Sequence, residues 1–173
     1  MSAETLIELL GWIKSVGIEI WLDGGWGIDA LLETQTRPHK DADVIVAHTD
    51  TEPLTRLLER HGFHETPGGR PENFVMADEQ GREIDIHVVE FDADGNGNYR
   101  MENGELWVFP ARGFTGRGRI KGVEVRCLSA EIAVACHASG YVPKEKDFAD
   151  MQHLERRFGV ELPPQLRRPD VTR

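Results

Sequence analysis

The chain's 173 residues suit one domain, and a hydrophobic content of 39% with 18 glycines excludes a disordered polymer. No apolar run exceeds the five residues of 132–136, against the roughly 20 a transmembrane helix needs, and two cysteines cannot frame a disulfide-stapled fold. With 30 acidic against 20 basic side chains the net charge is −10, which excludes a broad nucleic-acid surface, serves solubility and attracts a small cationic partner.

In chain order, Leu6, Leu9, Leu10 and Ile13 stand at helical spacing behind Ser2, a capping residue. The acids in this segment do not fit a secretory signal, and a cytoplasmic protein is expected. A short β-rich run, 18–22, stops at Asp23-Gly24-Gly25, and helical spacing returns over 26–32. A strand is predicted from Asp43 to Val46 and a helix over 51–60, ended by His61-Gly62. Strands follow over 63–90, broken at Pro67-Gly68-Gly69 and at 78–81. The strongest runs from Glu83 to Glu90, where Ile84, Ile86 and Val88 alternate with Asp85, His87 and Val89. The oxygen-rich stretch 91–98 lacks the spaced Glu of a calcium-binding EF-hand loop and reads as a turn. Further strands are predicted over 106–109 and 119–127, the latter with a turn at Lys121-Gly122. Ser129 caps a helix over 130–138 that Gly140 ends. A last helix over 146–158 buries Phe148, Met151 and Leu154, and the tail from Pro163 is ragged. An α/β (α+β) domain is expected over 1–173: a small mixed sheet with flanking helices over about 1–127, and a helical part over about 128–160.

Four groups carry candidate chemistry. Gly24-Gly25, between strand and helix, lets backbone amides approach a phosphate; a tight turn explains the pair equally. Asp41 and Asp43, two apart on a strand, project to one face while Ala42 faces away. Such a pair repels unless a cation lies between, and magnesium takes one or two carboxylates together with substrate phosphates. Asp85 sits inside a strong strand, where Asp is disfavoured, and shares a face with His87, itself read as a hydrogen-bonding residue. If that strand neighbours Asp41–Asp43, three carboxylates converge. Finally Lys144 and Lys146 enter a helix where they meet phosphates or simply solvent, with Asp147 and Asp150 on one face.

The ordered set resembles a known family. Trp21-Leu22-Asp23-Gly24-Gly25-Trp26-Gly27-Ile28-Asp29 followed by His39-Lys40-Asp41-Ala42-Asp43 is similar to the small antibiotic nucleotidyltransferases, the lincosamide type first and the aminoglycoside 2″ type next. Ile84-Asp85-Ile86-His87, His137-Ala138-Ser139-Gly140-Tyr141, Asp147 and Asp150 extend the likeness to about Leu154. Ala42 departs from the bulkier aliphatic residue usual there, Val44-Ile45-Val46 lacks the further acid of some relatives, and 63–73 matches poorly. The resemblance implies the polymerase-β-like nucleotidyltransferase fold, magnesium (two ions), a nucleoside triphosphate such as ATP, and a drug hydroxyl as acceptor. Carried over by residue, Gly24 and Gly25 hold the triphosphate, Asp41 and Asp43 the metals, and Asp85 is a metal ligand or the base.

The expected reaction is transfer of a nucleoside monophosphate to a hydroxyl of a small cationic antibiotic, releasing pyrophosphate. Lys144 or Lys146, the latter preferred, meets the β- and γ-phosphates. A homodimer is expected, as in lincosamide-type relatives, with Trp107 and Phe109 offering an apolar contact face. Three other readings stand beside it: the same fold modifying a protein or transfer RNA in a toxin–antitoxin pair, a non-catalytic nucleotide-binding module, and a phosphohydrolase built on His39 and Asp41.

Overall fold

The computed structural model describes residues 1–139 and 142–168. Helix α1 (Ala3–Ser15) starts where Ser2 Oγ accepts the Thr5 amide at 3.2 Å, and its apolar stripe buries Leu6, Leu9 and Ile13. Then come β1 (Ile20–Asp23), α2 (Gly24–Leu32), β2 (Asp41–Ala47) and α3 (His48–Arg60). Strands β3 (His64–Glu65), β4 (Asn73–Ala77), β5 (Glu83–Phe91), β6 (Gly97–Arg100) and β7 (Leu106–Phe109) follow. A hairpin of β8 (Arg117–Ile120) and β9 (Val123–Arg126) precedes α4 (Ala130–His137) and α5 (Glu145–Phe158).

The sheet order is β1-β2-β5-β4-β3, with β6 on the far end of β5 and β7 beyond it. Among the described strands only β2 and β5 pair in parallel, and the long connection through α3 and the β3–β4 hairpin lets them do so. Alternation settles what each face does. Ala42, Val44 and Val46 of β2 and Ile84, Ile86 and Val88 of β5 enter the main core with Leu6, Trp26 and Leu58. The opposite face begins with acids and ends apolar, since Ile45 and Val89 join Trp21, Phe109, Phe114 and Ile132 in a second cluster. The helical part packs on the main core through Met151, Leu154 and Leu162.

Three sequence expectations change. The glycines at 24 and 25 are the first turn of α2 and not a linker before it, because Asp23 is the cap. On α5, Phe148 is half-buried, while Asp147 and Asp150 take buried positions at 3% and 2% exposure. The tail expected to be ragged from Pro163 instead sets a 3-10 turn at Pro164–Leu166 that drops Leu166 fully into the core, and its residues 169–173 lie outside the described residues. Elsewhere Asp92 closes the 92–96 turn by accepting the amides of Asp94 and Asn96 at 3.0 and 2.9 Å. The expected helix end at Gly140, and Tyr141, lie outside the described residues. No helix among the described residues is long and apolar enough to cross a membrane.

Candidate active site

Three neighbouring strands set three acids in one row. The register pairs Asp23 of β1 with Asp43 of β2, and Asp43 with Asp85 of β5. Asp41 stands one pleat earlier on the same face of β2, opposite Glu83. Asp43, Asp85 and His87 each bring a ligand atom within 4.8 Å of the other two. Asp41 is outside that tight group, as is Asp23. From β4, Asn73 Nδ2 donates to Asp85 Oδ1 at 2.7 Å and meets His87 Nδ1 at 3.3 Å. The amide is a donor there, so the histidine nitrogen accepts.

This crowding has an electrostatic cost. Burial, and after it the Asp23 carboxylate, push the Asp43 pKa up to about 6; Asp41 and Asp85 add to the rise and His87 opposes it. A divalent cation between the carboxylates would reverse the shift. Asp43 and Asp85, with Asp41 behind them, supply the hard oxygen donors that suit magnesium. His87 offers nitrogen, does not suit that ion, and stays a hydrogen-bonding neighbour.

The start of α2 closes on this row. Gly24 has φ +54°, and a Cβ there would fall 2.1 Å from Asp43 Oδ2; at Gly25 it would fall 2.4 Å from His39 Nδ1. Both positions need glycine so that the acid and the 33–40 segment can press against the helix end, where Asp23 Oδ1 takes the Gly24 amide at 2.7 Å.

A cavity of about 470 Å³ opens over these groups. Asp23, Gly24, Gly25, Asp43 and His87 line its floor, and Arg37, Lys144, Lys146 and Asp147 one wall. Tyr99, Met101, Trp107 and Phe109 from the β6–β7 hairpin form the other wall. Asp41 and Asp85 flank Asp43 and are not among its lining residues. Both expected lysines thus reach the cavity, though exposed. Trp107 and Phe109, expected to offer an apolar contact face, line the cavity, while strand alternation leaves Leu106 and Val108 exposed at 55% and 46%. His39 does not pair with Asp41 as a phosphohydrolase would need, since its Nε2 is 2.5 Å from Asp29 Oδ2. Sequence reading missed Asp23, Arg37 and Asn73 as site residues. Only the Asp23 cap position next to Gly24 carried a local signal.

The family model for aminoglycoside-2''-adenylyltransferase matches residues 5–154. A lincosamide resistance protein of Staphylococcus haemolyticus is 28% identical over 155 residues, covering 90% of this chain and 95% of that protein. Among solved structures, the lincosamide antibiotic adenylyltransferase LnuA with lincomycin bound superposes with a TM-score of 0.79 at 28% identity, over 90% of this chain and 97% of that one. ANT(2")-Ia, in complex with adenylyl-2"-tobramycin, superposes with a TM-score of 0.71 at 18% identity, over 89% and 87% of the two chains. The fold is therefore the polymerase-β-like nucleotidyltransferase fold, as the resemblance implied. With its glycine-led helix beside a row of acids and its family model spanning most of its length, the chain is a nucleotidyltransferase and belongs to the aminoglycoside-2''-adenylyltransferase family.

Proposed function

We propose that the chain transfers the nucleoside monophosphate of ATP to a hydroxyl of a small cationic antibiotic of the lincosamide type, releasing pyrophosphate and inactivating the drug. The observation that carries the choice of acceptor is the cavity's second wall. Tyr99, Met101, Trp107 and Phe109 offer aromatic and thioether surface, which suits an acceptor with one amine and apolar substituents. An aminoglycoside carries several ammonium groups and would call for carboxylates along that wall. The 28% identity to a lincosamide resistance protein over nine-tenths of the chain supports the same choice.

The chain's own residues divide the work. The amides of α2 that follow Gly24, with Lys144 and Lys146, hold the phosphates. Asp41, Asp43 and Asp85 would hold magnesium, which would supply neutralisation of the triphosphate and a lowered pKa for the attacking hydroxyl. Asn73 fixes Asp85 Oδ1 at 2.7 Å, leaving Oδ2 to take the hydroxyl proton. The hydroxyl oxygen bonds to the α-phosphorus as the bond to pyrophosphate breaks, and most of the acceleration comes from positioning.

Incubation with α-labelled ATP and magnesium tests the reading against lincosamides, aminoglycosides, protein and transfer RNA. Label on a lincosamide is expected. Label on an aminoglycoside moves the acceptor class, label on protein or RNA selects a macromolecular acceptor, and ATP binding without label leaves a non-catalytic module. The reading includes a homodimer formed through the exposed Leu106 and Val108 edge of β7. Light scattering at micromolar concentration is expected to give twice the chain mass; a fully active monomer overturns the dimer.

A further inference from the structure

The segment between α2 and β2 carries Arg37 and His39, which lie outside the row of acids. Arg37 Nε and Nη2 donate to Asp150 Oδ2 of α5 at 3.1 and 2.9 Å. Nη1 reaches His39 Nδ1 at 3.1 Å and the Pro38 carbonyl at 3.4 Å. A guanidinium cannot accept, so His39 Nδ1 is the acceptor and the ring carries its proton on Nε2. That Nε2–H donates to Asp29 Oδ2 at 2.5 Å, and Asp29 Oδ1 takes the amide and hydroxyl of Thr36 at 3.0 and 2.7 Å. Asp29, His39 and Asp150 are 1%, 8% and 2% exposed, so these three side chains are inside the protein.

A scaffold of this kind is expensive to bury, and it converges on one side chain. Arg37 itself keeps 25% of its side-chain surface, on the cavity wall. A Cβ at Gly25 would fall 2.6 Å from its Nη2, so the guanidinium sits against the first turn of α2. Of the five N–H groups of an arginine, the bonds among the described residues occupy four and leave one Nη2 hydrogen. An arginine fork can hold a carboxylate on one edge and meet a phosphate oxygen on another, and the neighbouring amides of α2 favour the same anion.

We propose that Arg37 binds the triphosphate and that Asp150 and the Asp29–His39 pair are positioning residues that hold its guanidinium over the start of α2. This rests on the nucleotidyl-transfer reading of the cavity. It also gives α5 a part in the nucleotide site, since the side chain that aims Arg37 comes from that helix.

Calorimetric titration with ATP and with inorganic triphosphate, both with magnesium, tests it. Arg37→Gln is expected to weaken both ligands roughly tenfold or more. Asp150→Ala, which leaves the arginine but frees it, raises KM for ATP while kcat stays within about twofold. His39→Gln supplies an acceptor for Arg37 and a donor for Asp29 and keeps the parent KM; His39→Leu does not. Breaking a buried pair can unfold the protein, so Arg37→Met with Asp150→Leu serves as the control, removing both charges together. That double variant is expected to keep the parent's melting temperature and still lose triphosphate. ATP affinity equal to the parent's in the double variant or in Arg37→Gln overturns the proposal alone. A parent protein that binds neither ATP nor triphosphate overturns the nucleotidyl-transfer reading and this proposal together.

Discussion

At the scale of single residues the site works by denying side chains their freedom. Asp85 is held from two directions: its backbone by pairing with β2 and β4, and its Oδ1 by Asn73 at 2.7 Å. A carboxylate fixed in this way needs no search before it accepts a proton, the advantage that the proposed transfer would draw on. Replacing Asp85 with Asn keeps the size and the strand but removes the charge. Turnover of Asp85→Asn is expected to fall by about 100-fold or more, with ATP binding retained and weakened. Steady-state kinetics beside calorimetry separates the two effects. Near-normal turnover would move the base to another acid, Glu83 and Glu90 being the next to test. Gly24 shows the same economy from the backbone side, since any side chain there would occupy the place of Asp43 Oδ2.

At the scale of elements, what could be read from sequence and what could not divides along the reach of the signal. The alternation of Ile84, Ile86 and Val88 with Asp85 and His87 is local, and it announces both the strand and the face its acid takes. The spacing of Asp41 and Asp43 is equally local. The row Asp23, Asp43, Asp85 depends on the register of β1 on β2 and of β2 on β5, which loop closure and core packing set, so the local signal at Asp23 reached no further than its cap position. The contact of Arg37 with Asp150 spans 113 residues and is invisible to any window. The β6–β7 hairpin shows a third limit: Trp107 and Phe109 were legible as one apolar face, but that this face lines the cavity depends on where the hairpin docks. Because that face lines the cavity with apolar surface suited to the proposed acceptor, Trp107→Ala is expected to raise KM for the drug by roughly 10-fold. KM for ATP should stay within about twofold. Initial rates with each substrate varied in turn check this, and a matching rise in both KM values would mean that the hairpin holds the site together and does not select the drug.

At the scale of the whole molecule, the acids that make the site work against the fold that carries them. Asp43 titrates near 6 in the folded chain against an ordinary value of 3.8, chiefly through burial and then through Asp23. The folded state therefore binds this proton more tightly than the unfolded state does. Its contribution to stability is fully present below about 4, declines as pH rises and is lost above about 6. A shift of that size corresponds to a penalty of about 3 kcal/mol at neutral pH when no cation is bound. For a chain of this length each kcal/mol moves the melting temperature by roughly 2–4 °C. Asp43→Asn removes the charge and keeps the volume, so in chelator at pH 8 it is expected to melt several degrees above the parent. At pH 4 the two should converge, because the parent's carboxyl is then mostly neutral. Millimolar magnesium should raise the melting temperature of the parent at pH 8 and leave the variant nearly unmoved, since a cation held between Asp43 and Asp85 relieves the repulsion only where both carboxylates are present. Scanning calorimetry of both proteins at the two pH values, with and without magnesium, reads all of this in one series. Equal melting temperatures at pH 8 in chelator would show that Asp23, Asp43 and Asp85 coexist without strain, and the site would then need no cation to be stable.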